Sequence, residues 1–203
     1  MRRFLGAATI LVALPIHSAW AATLQSEYSY VASDDRSPAS QGDVALAIIA
    51  DGPVWSFGQL LRESFGDLLA EQPFFWSITN IFGGYNSTEA VRTVLDRIGQ
   101  AAYNSERYVD AQTVHAARTT TTAPCIVVVH LGSPKTGFRS RYDWGIRVSA
   151  SREYTAQFQI SILSLNTGQF TYVERGRILG NSPDKVGKAL GERVRDQIGE
   201  RLQ

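Results

Sequence analysis

The run PCIVVVHLGS, from Pro124 to Ser133, holds the chain's one cysteine and one of its three histidines. Read as chemistry it would be a thiol–imidazole pair; read as structure it is a buried strand. Cys125 and His130 stand five residues apart. On a strand an odd separation sends two side chains to opposite faces, and five residues span about 16 Å. The pair cannot meet. A cysteine that opens Ile126-Val127-Val128-Val129 behaves as a small buried hydrophobe, so the stretch is the middle strand of a sheet.

Upstream, Asp43 to Ala50 (DVALAIIA) is a second apolar run, ended by Asp51-Gly52-Pro53, and suits a strand covered on both faces. Ser56 and Gln59 form a capping box ahead of Phe57, Leu60, Leu61, Phe65, Leu68 and Leu69, a helical stripe that Pro73 stops. Phe74 to Phe82 (FFWSITNIF) is aromatic and β-branched, a further strand closed by Gly83-Gly84. Asn86 and Glu89 give a second capping signal before Val91, Val94, Leu95, Ile98 and Ala102. Residues 105–118 lean towards a short helix.

Downstream, Tyr154 to Leu165 alternates apolar with polar residues, the pattern of a half-exposed strand. Asn166-Thr167-Gly168-Gln169 turns it into a partner, Phe170 to Ile178. Ser182 then caps a closing helix with Pro183 at its first position. Val186, Leu190, Val194, Ile198 and Leu202 repeat at four-residue steps, with Gly187 and Gly191 beside them for close approach to a sheet. The expected fold is α/β (α+β): a single mixed β-sheet with helices packed on it, in the order β-α-β-α-β-β-β-α.

At the other end, MRRFLGAATILVALPIHSAWAAT has two arginines, an apolar run and Ala19-Trp20-Ala21, the form of a signal peptide cut before Ala22. The apolar run is shorter than the roughly 20 residues of a membrane span. No cysteine follows to carry a lipid, so the expected location is periplasmic or secreted, with no stable membrane span after cleavage. The expected division is 1–21 signal peptide, 22–42 flexible leader rich in Ser, Asp and Gln, and 43–203 a single domain. Without Arg2 and Arg3, 18 basic side chains face 19 acidic ones. That balance gives no support for nucleic-acid binding, and one cysteine allows no internal disulfide.

Enzyme motifs are present only in fragments. Ser182-Pro183-Asp184-Lys185 is a literal S-x-x-K, and Lys135-Thr136-Gly137 a literal K-T-G, as in penicillin-interacting serine enzymes. Their order is reversed and no S-D-N lies between, so no catalytic residue is assigned. A peptidoglycan-acting enzyme using Ser182 and Lys185 stands as the alternative, and a periplasmic small-ligand module as the second. His115, His130 and one cysteine offer no metal spacing, and no cofactor is expected. The charge feature of note is Lys135 to Arg152. Lys135, Arg139, Arg141, Arg147 and Arg152 face one acid, Asp143, with Phe138, Tyr142 and Trp144 interleaved. Arginine and aromatics are enriched in interface hot spots, which makes Lys135, Arg139, Arg141, Trp144, Arg147 and Arg152 the candidate partner-binding set. A solvated hairpin tip is the plainer reading of the same residues.

Taken together, the chain resembles the periplasmic α/β domain of the CsgG-like and LpoB-like proteins. The likeness is carried by Val44–Ala50, Phe57–Glu71, Ala123–Gly132 (with Cys125 near the family's aspartate), the Ser164–Gly168 turn and the Ser182–Leu202 helix. It implies a non-catalytic accessory that binds another envelope protein to assist assembly, secretion or activation; the basic segment on its own would equally suit an anionic envelope polymer. Homo-oligomerisation is compatible with it. Two departures stand out. Those relatives are usually lipoproteins, and a pore would need two long amphipathic hairpins where this chain offers one, heavily charged.

Overall fold

A computed structural model describes residues 22–32, 44–50, 78–83, 89–132, 135–143 and 146–201. The signal peptide expected at 1–21 and the helix expected over Phe57–Glu71 lie outside the described residues. The strands are β1 (Thr23–Val31), β2 (Val44–Ala50), β3 (Ile78–Gly83), β4 (Cys125–Leu131), β5 (Lys135–Asp143), β6 (Ile146–Ser164) and β7 (Phe170–Gly180). The helices are α1 (Glu89–Tyr103), α2 (Ala111–Thr120) and α3 (Pro183–Arg201). One mixed sheet runs β1-β7-β6-β4-β2-β3, with β5 paired to β6. β2 is parallel to β3 and β4, and the remaining pairs are antiparallel. The α+β fold expected from the sequence is the fold found.

PCIVVVHLGS supplies β4, flanked by β2 and β6 and covered on both faces. Cys125, Val127 and Val129 join Val186, Leu190, Val194 and Ile198 of α3 in one core. Ile126 and Val128 join Leu95, Ile98 and Ala102 of α1 in the other. This is why the run is apolar without alternation. The four-residue stripe of α3 is buried from Val186 to Ile198, each member 1% exposed or less.

Three expectations change. Residues 23–31, expected within an irregular leader, form β1, an edge strand antiparallel to β7. The strand expected to be half-exposed is covered on both sides. Gln159 and Ser161 are buried beneath α1, where Gln159 Nε2 donates to Gly99 O at 2.9 Å and Ser161 Oγ donates to Val128 O at 3.3 Å. Their polarity serves specific backbone acceptors rather than water. Third, Lys135 to Arg152 is not only a hairpin tip but strand β5 and the first part of β6.

Local chemistry fixes the connections. Asp110 caps α2, accepting from Thr113 N at 2.9 Å and Thr113 Oγ1 at 2.6 Å. Those bonds, the hydroxyl foremost, hold its carboxyl below the usual carboxylate range. Gly168 turns β6 into β7 with φ +71°, a left-handed conformation that disfavours other residues.

Candidate functional site

β5 continues along the edge of β6 that β4 occupies, since Leu131 pairs with Phe158 and Lys135 with Thr155. On the other edge, β7 reaches only as far as Tyr154, opposite Gly180. Among the described residues, the first eight positions of β6, Ile146 to Glu153, therefore pair with β5 alone. The result is a two-stranded ribbon that runs on past the sheet. It carries most of the predicted partner-binding set. Arg139 pairs with Ser151, Arg141 with Ser149 and Arg147 with Tyr142, while Arg152 pairs with Phe138. Lys135 and Arg152 are exposed, and Phe138 is 70% exposed. Trp144 lies outside the described residues.

Cys125 and His130 point to opposite faces of β4, as their spacing requires. Cys125 packs in the α3-side core, and burial pushes its thiol up to about 12. Because the unfolded chain releases that proton near 9.0, the stabilisation is complete below pH 9 and is lost as pH rises from there towards 12. The slope approaches about 1.4 kcal/mol per pH unit. Denaturant midpoints should be flat up to pH 9 and fall above it, and Cys125→Ala should remove the first part of the fall. Tyr172 adds a second part above its ordinary 10.0, since burial and the Glu174 carboxylate push its phenol up. At pH 8 a thiol reagent should label only unfolded protein.

Ser182 caps α3, its Oγ accepting from Lys185 N at 3.4 Å. Lys135-Thr136-Gly137 opens the ribbon, where Thr136 pairs with Tyr154 and Tyr154 in turn with Gly180. A strand of β6 thus separates the two motif fragments, about 10 Å at the usual strand spacing. Among the described residues no group of three or more His, Cys, Asp or Glu could hold a metal ion, and no helix is long and apolar enough to cross a membrane.

A second feature comes from strand register. His130 of β4 pairs with Gln159 of β6, Gln159 with Arg175 of β7, and Arg175 with Tyr28 of β1. This row crosses four strands on the α1 face and marks the edge of the core, because its neighbours Val128 and Val173 are fully buried. Beyond the row lies an open groove of about 710 Å³, walled by Asp96, Gln100 and Tyr103 of α1 and by Glu27 of β1. Gly99 brings α1 down onto the His130 ring; a Cβ there would stand 2.5 Å from Nε2. Arg175 stacks between Tyr28 (4.4 Å) and Tyr103 (5.1 Å). Its guanidinium donates to Tyr103 O and, at 3.1 Å, to Ser105 Oγ.

No family model matches the chain, and no curated protein does. Some solved structures align with it over most of its length. The PelC dodecamer from Paraburkholderia phytofirmans is 10% identical, covering 85% of this chain and 94% of that one with a TM-score of 0.40. The hypothetical protein CT253 from Chlamydia trachomatis is 8% identical, covering 79% and 98% with a TM-score of 0.46. Lipoprotein GNA1162 from Neisseria meningitidis is 12% identical, covering 78% and 98% with a TM-score of 0.36. At these identities and scores none of the three lends this chain a function.

The sequence pointed to the ribbon through its charge and missed the groove. His130, Gln159, Arg175 and Tyr28 are scattered over 148 positions of the chain and share no motif. The one sequence signal was Gln157 and Gln159 in the alternating strand, a pair of amides on the face that α1 covers.

Proposed function

We propose that the chain is an exported, non-catalytic accessory protein of the cell envelope, kin to the CsgG-like and LpoB-like domains, that binds another envelope protein through the β5–β6 ribbon. The observation that carries this reading is the ribbon itself. An isolated two-stranded hairpin is marginal in water, yet β5 runs on from Gly137 to Asp143 past the reach of β7, with Phe138 70% exposed. A partner that covers Phe138 would supply the burial the ribbon lacks. Its basic residues would steer an acidic surface towards it, an attraction that weakens with salt. Export rests on the Arg2-Arg3 start, the apolar run and Ala19-Trp20-Ala21.

The test places a photo-crosslinking amino acid at position 138 in intact cells, with position 192 on α3 as control. The expected result is one envelope protein captured at 138, absent at 192, and lost when Arg139, Arg141 and Arg147 are all changed to Glu. Capture that survives the charge reversal would move recognition off the basic residues. No adduct at 138 under any envelope condition would remove the ribbon as the docking surface.

A further inference from the structure

The groove beside α1 is a separate surface from the ribbon and differs from it in chemistry. Its charges are already committed. Glu27 pairs with Arg177 at 2.8 Å, Asp96 with Arg92 at 3.9 Å, and Arg175 is held by two tyrosine rings, a carbonyl and a hydroxyl. An ionic ligand would have to compete with these pairs for its counter-charge. The lining mixes polar groups (His130, Gln157, Gln159) with carbon surface from Tyr28 and Tyr103, which suits a ligand that is itself both.

What the groove does offer is neutral hydrogen bonding next to aromatic faces. Gln159 is only 6% exposed, and its Nε2 is spent on Gly99 O. Its Oε1 is a further acceptor at the groove floor. Gln157 is exposed beside it and can both donate and accept. Tyr103, 62% exposed, brings an aromatic ring with a hydroxyl at its tip to the groove wall. The open groove of about 710 Å³ has room for a ring-sized ligand.

A pyranose ring has the matching surface: C–H faces for a tyrosine, and a rim of hydroxyls that each donate and accept. We propose that this groove binds a segment of an uncharged oligosaccharide, with Tyr103 as the stacking platform and Gln157 and Gln159 reading ring hydroxyls. The groove opens at the root of the ribbon, since Gln157 lies two residues from the Thr155 that pairs with Lys135. A glycan held there would lie beside whatever the ribbon engages.

The test uses purified protein and three probes: cellotetraose and chitotetraose, both neutral, and a galacturonic acid tetramer, which is anionic. Binding is read by amide chemical-shift titration and calorimetry. At least one neutral probe should bind and shift the amides of Gly132 and Gln157. Tyr103→Ala and Gln157→Ala, both at exposed positions, should each weaken it about fivefold to tenfold. Gly132→Leu should abolish it by filling the groove; a Cβ there is in ordinary contact with Gln157 at 3.5 Å, and a circular-dichroism melt matching the parent's checks that the fold is kept. The ribbon variant with Arg139, Arg141 and Arg147 changed to Glu should bind normally, which keeps this site distinct from partner docking. The proposal is overturned if neither neutral probe binds at about 1 mM, if the anionic probe binds best, or if the groove variants bind as the parent does.

Discussion

Changing Arg193 to alanine is expected to cost about 3–5 kcal/mol of stability, a fall in Tm of about 10 °C or more in a chain of this size. Glu174 is the reason. Its side chain is 2% exposed, set in β7 beneath α3, and a carboxylate there is tolerable only if paired and hydrogen-bonded. Arg193 supplies the pairing as a fork, with Nε to Oε2 at 2.9 Å and an Nη to Oε1 at 3.1 Å. Tyr172 Oη donates to Oε2 at 2.6 Å. The carboxylate in turn raises the guanidinium's hold on its proton. Removing the arginine leaves a buried charge, and lysine should restore little because it cannot make the fork.

The mechanism makes a second demand. If the loss is that of an orphaned charge, then Glu174→Leu combined with Arg193→Met should be less damaging than Arg193→Ala alone. Denaturant titration of the parent, Glu174→Leu, Arg193→Met and the double variant completes the cycle, with Arg193→Ala measured beside them. Equal or greater loss in the double variant would mean that the triad stabilises by its own attraction, and that the desolvation argument is wrong for this site.

Which parts of the fold were legible follows from which elements bury a face. β2, β4 and α3 bury theirs completely, and their apolar runs or four-residue stripes record it. β5 records nothing comparable, because Lys135, Thr136, Gly137 and Phe138 are all exposed; a ribbon outside the sheet has no core face to write into its sequence. β1 was hidden for a different reason. Leu24 and Tyr28 are four apart and on a regular strand would share a face. Here Leu24 packs with the α3-side core, whereas Tyr28 and Tyr30 pack with the α1-side core. The register shift between Ser26 and Tyr28 moves the strand from one to the other. A period-two search therefore finds no strand.

The groove was illegible in principle. It depends on which residue of β4 faces which of β6, β7 and β1, and a single sequence carries no register between strands so far apart. The turn at Asn166–Gln169 fixed the β6–β7 pair and the Lys135–Arg152 hairpin brought β5 to β6, but neither places β4 or β1 beside them.

The same bulge makes Gly176 the position where one methyl group should do the most damage. Gly176 of β7 pairs with Ser26, where β1 crosses closest. A Cβ there would stand 2.1 Å from Gln25 O and 2.9 Å from Gln25 C, both backbone atoms. A flexible side chain could move aside, but a strand backbone must move as a whole. Gly176→Ala is expected to cost about 3 kcal/mol and Gly176→Val more, at the upper end of overpacking penalties. The loss should be local. β1 is an edge strand held chiefly by β7, so it should detach while β7, β6, β4 and β2 remain paired.

Hydrogen exchange then gives the decisive contrast: the amides of Tyr28 to Val31 lose protection while those of Ile126 to Val129 keep theirs. Detachment also removes Tyr28 from its stack on Arg175 and uncovers the outer edge of β7, an unpaired strand edge prone to self-association. The variant should therefore aggregate at concentrations the parent tolerates, and lose groove binding with its core intact. Retained protection in β1 would show instead that the bulge at Glu27 can slide to accept a side chain, which would make the register of this edge adjustable and the groove wall with it.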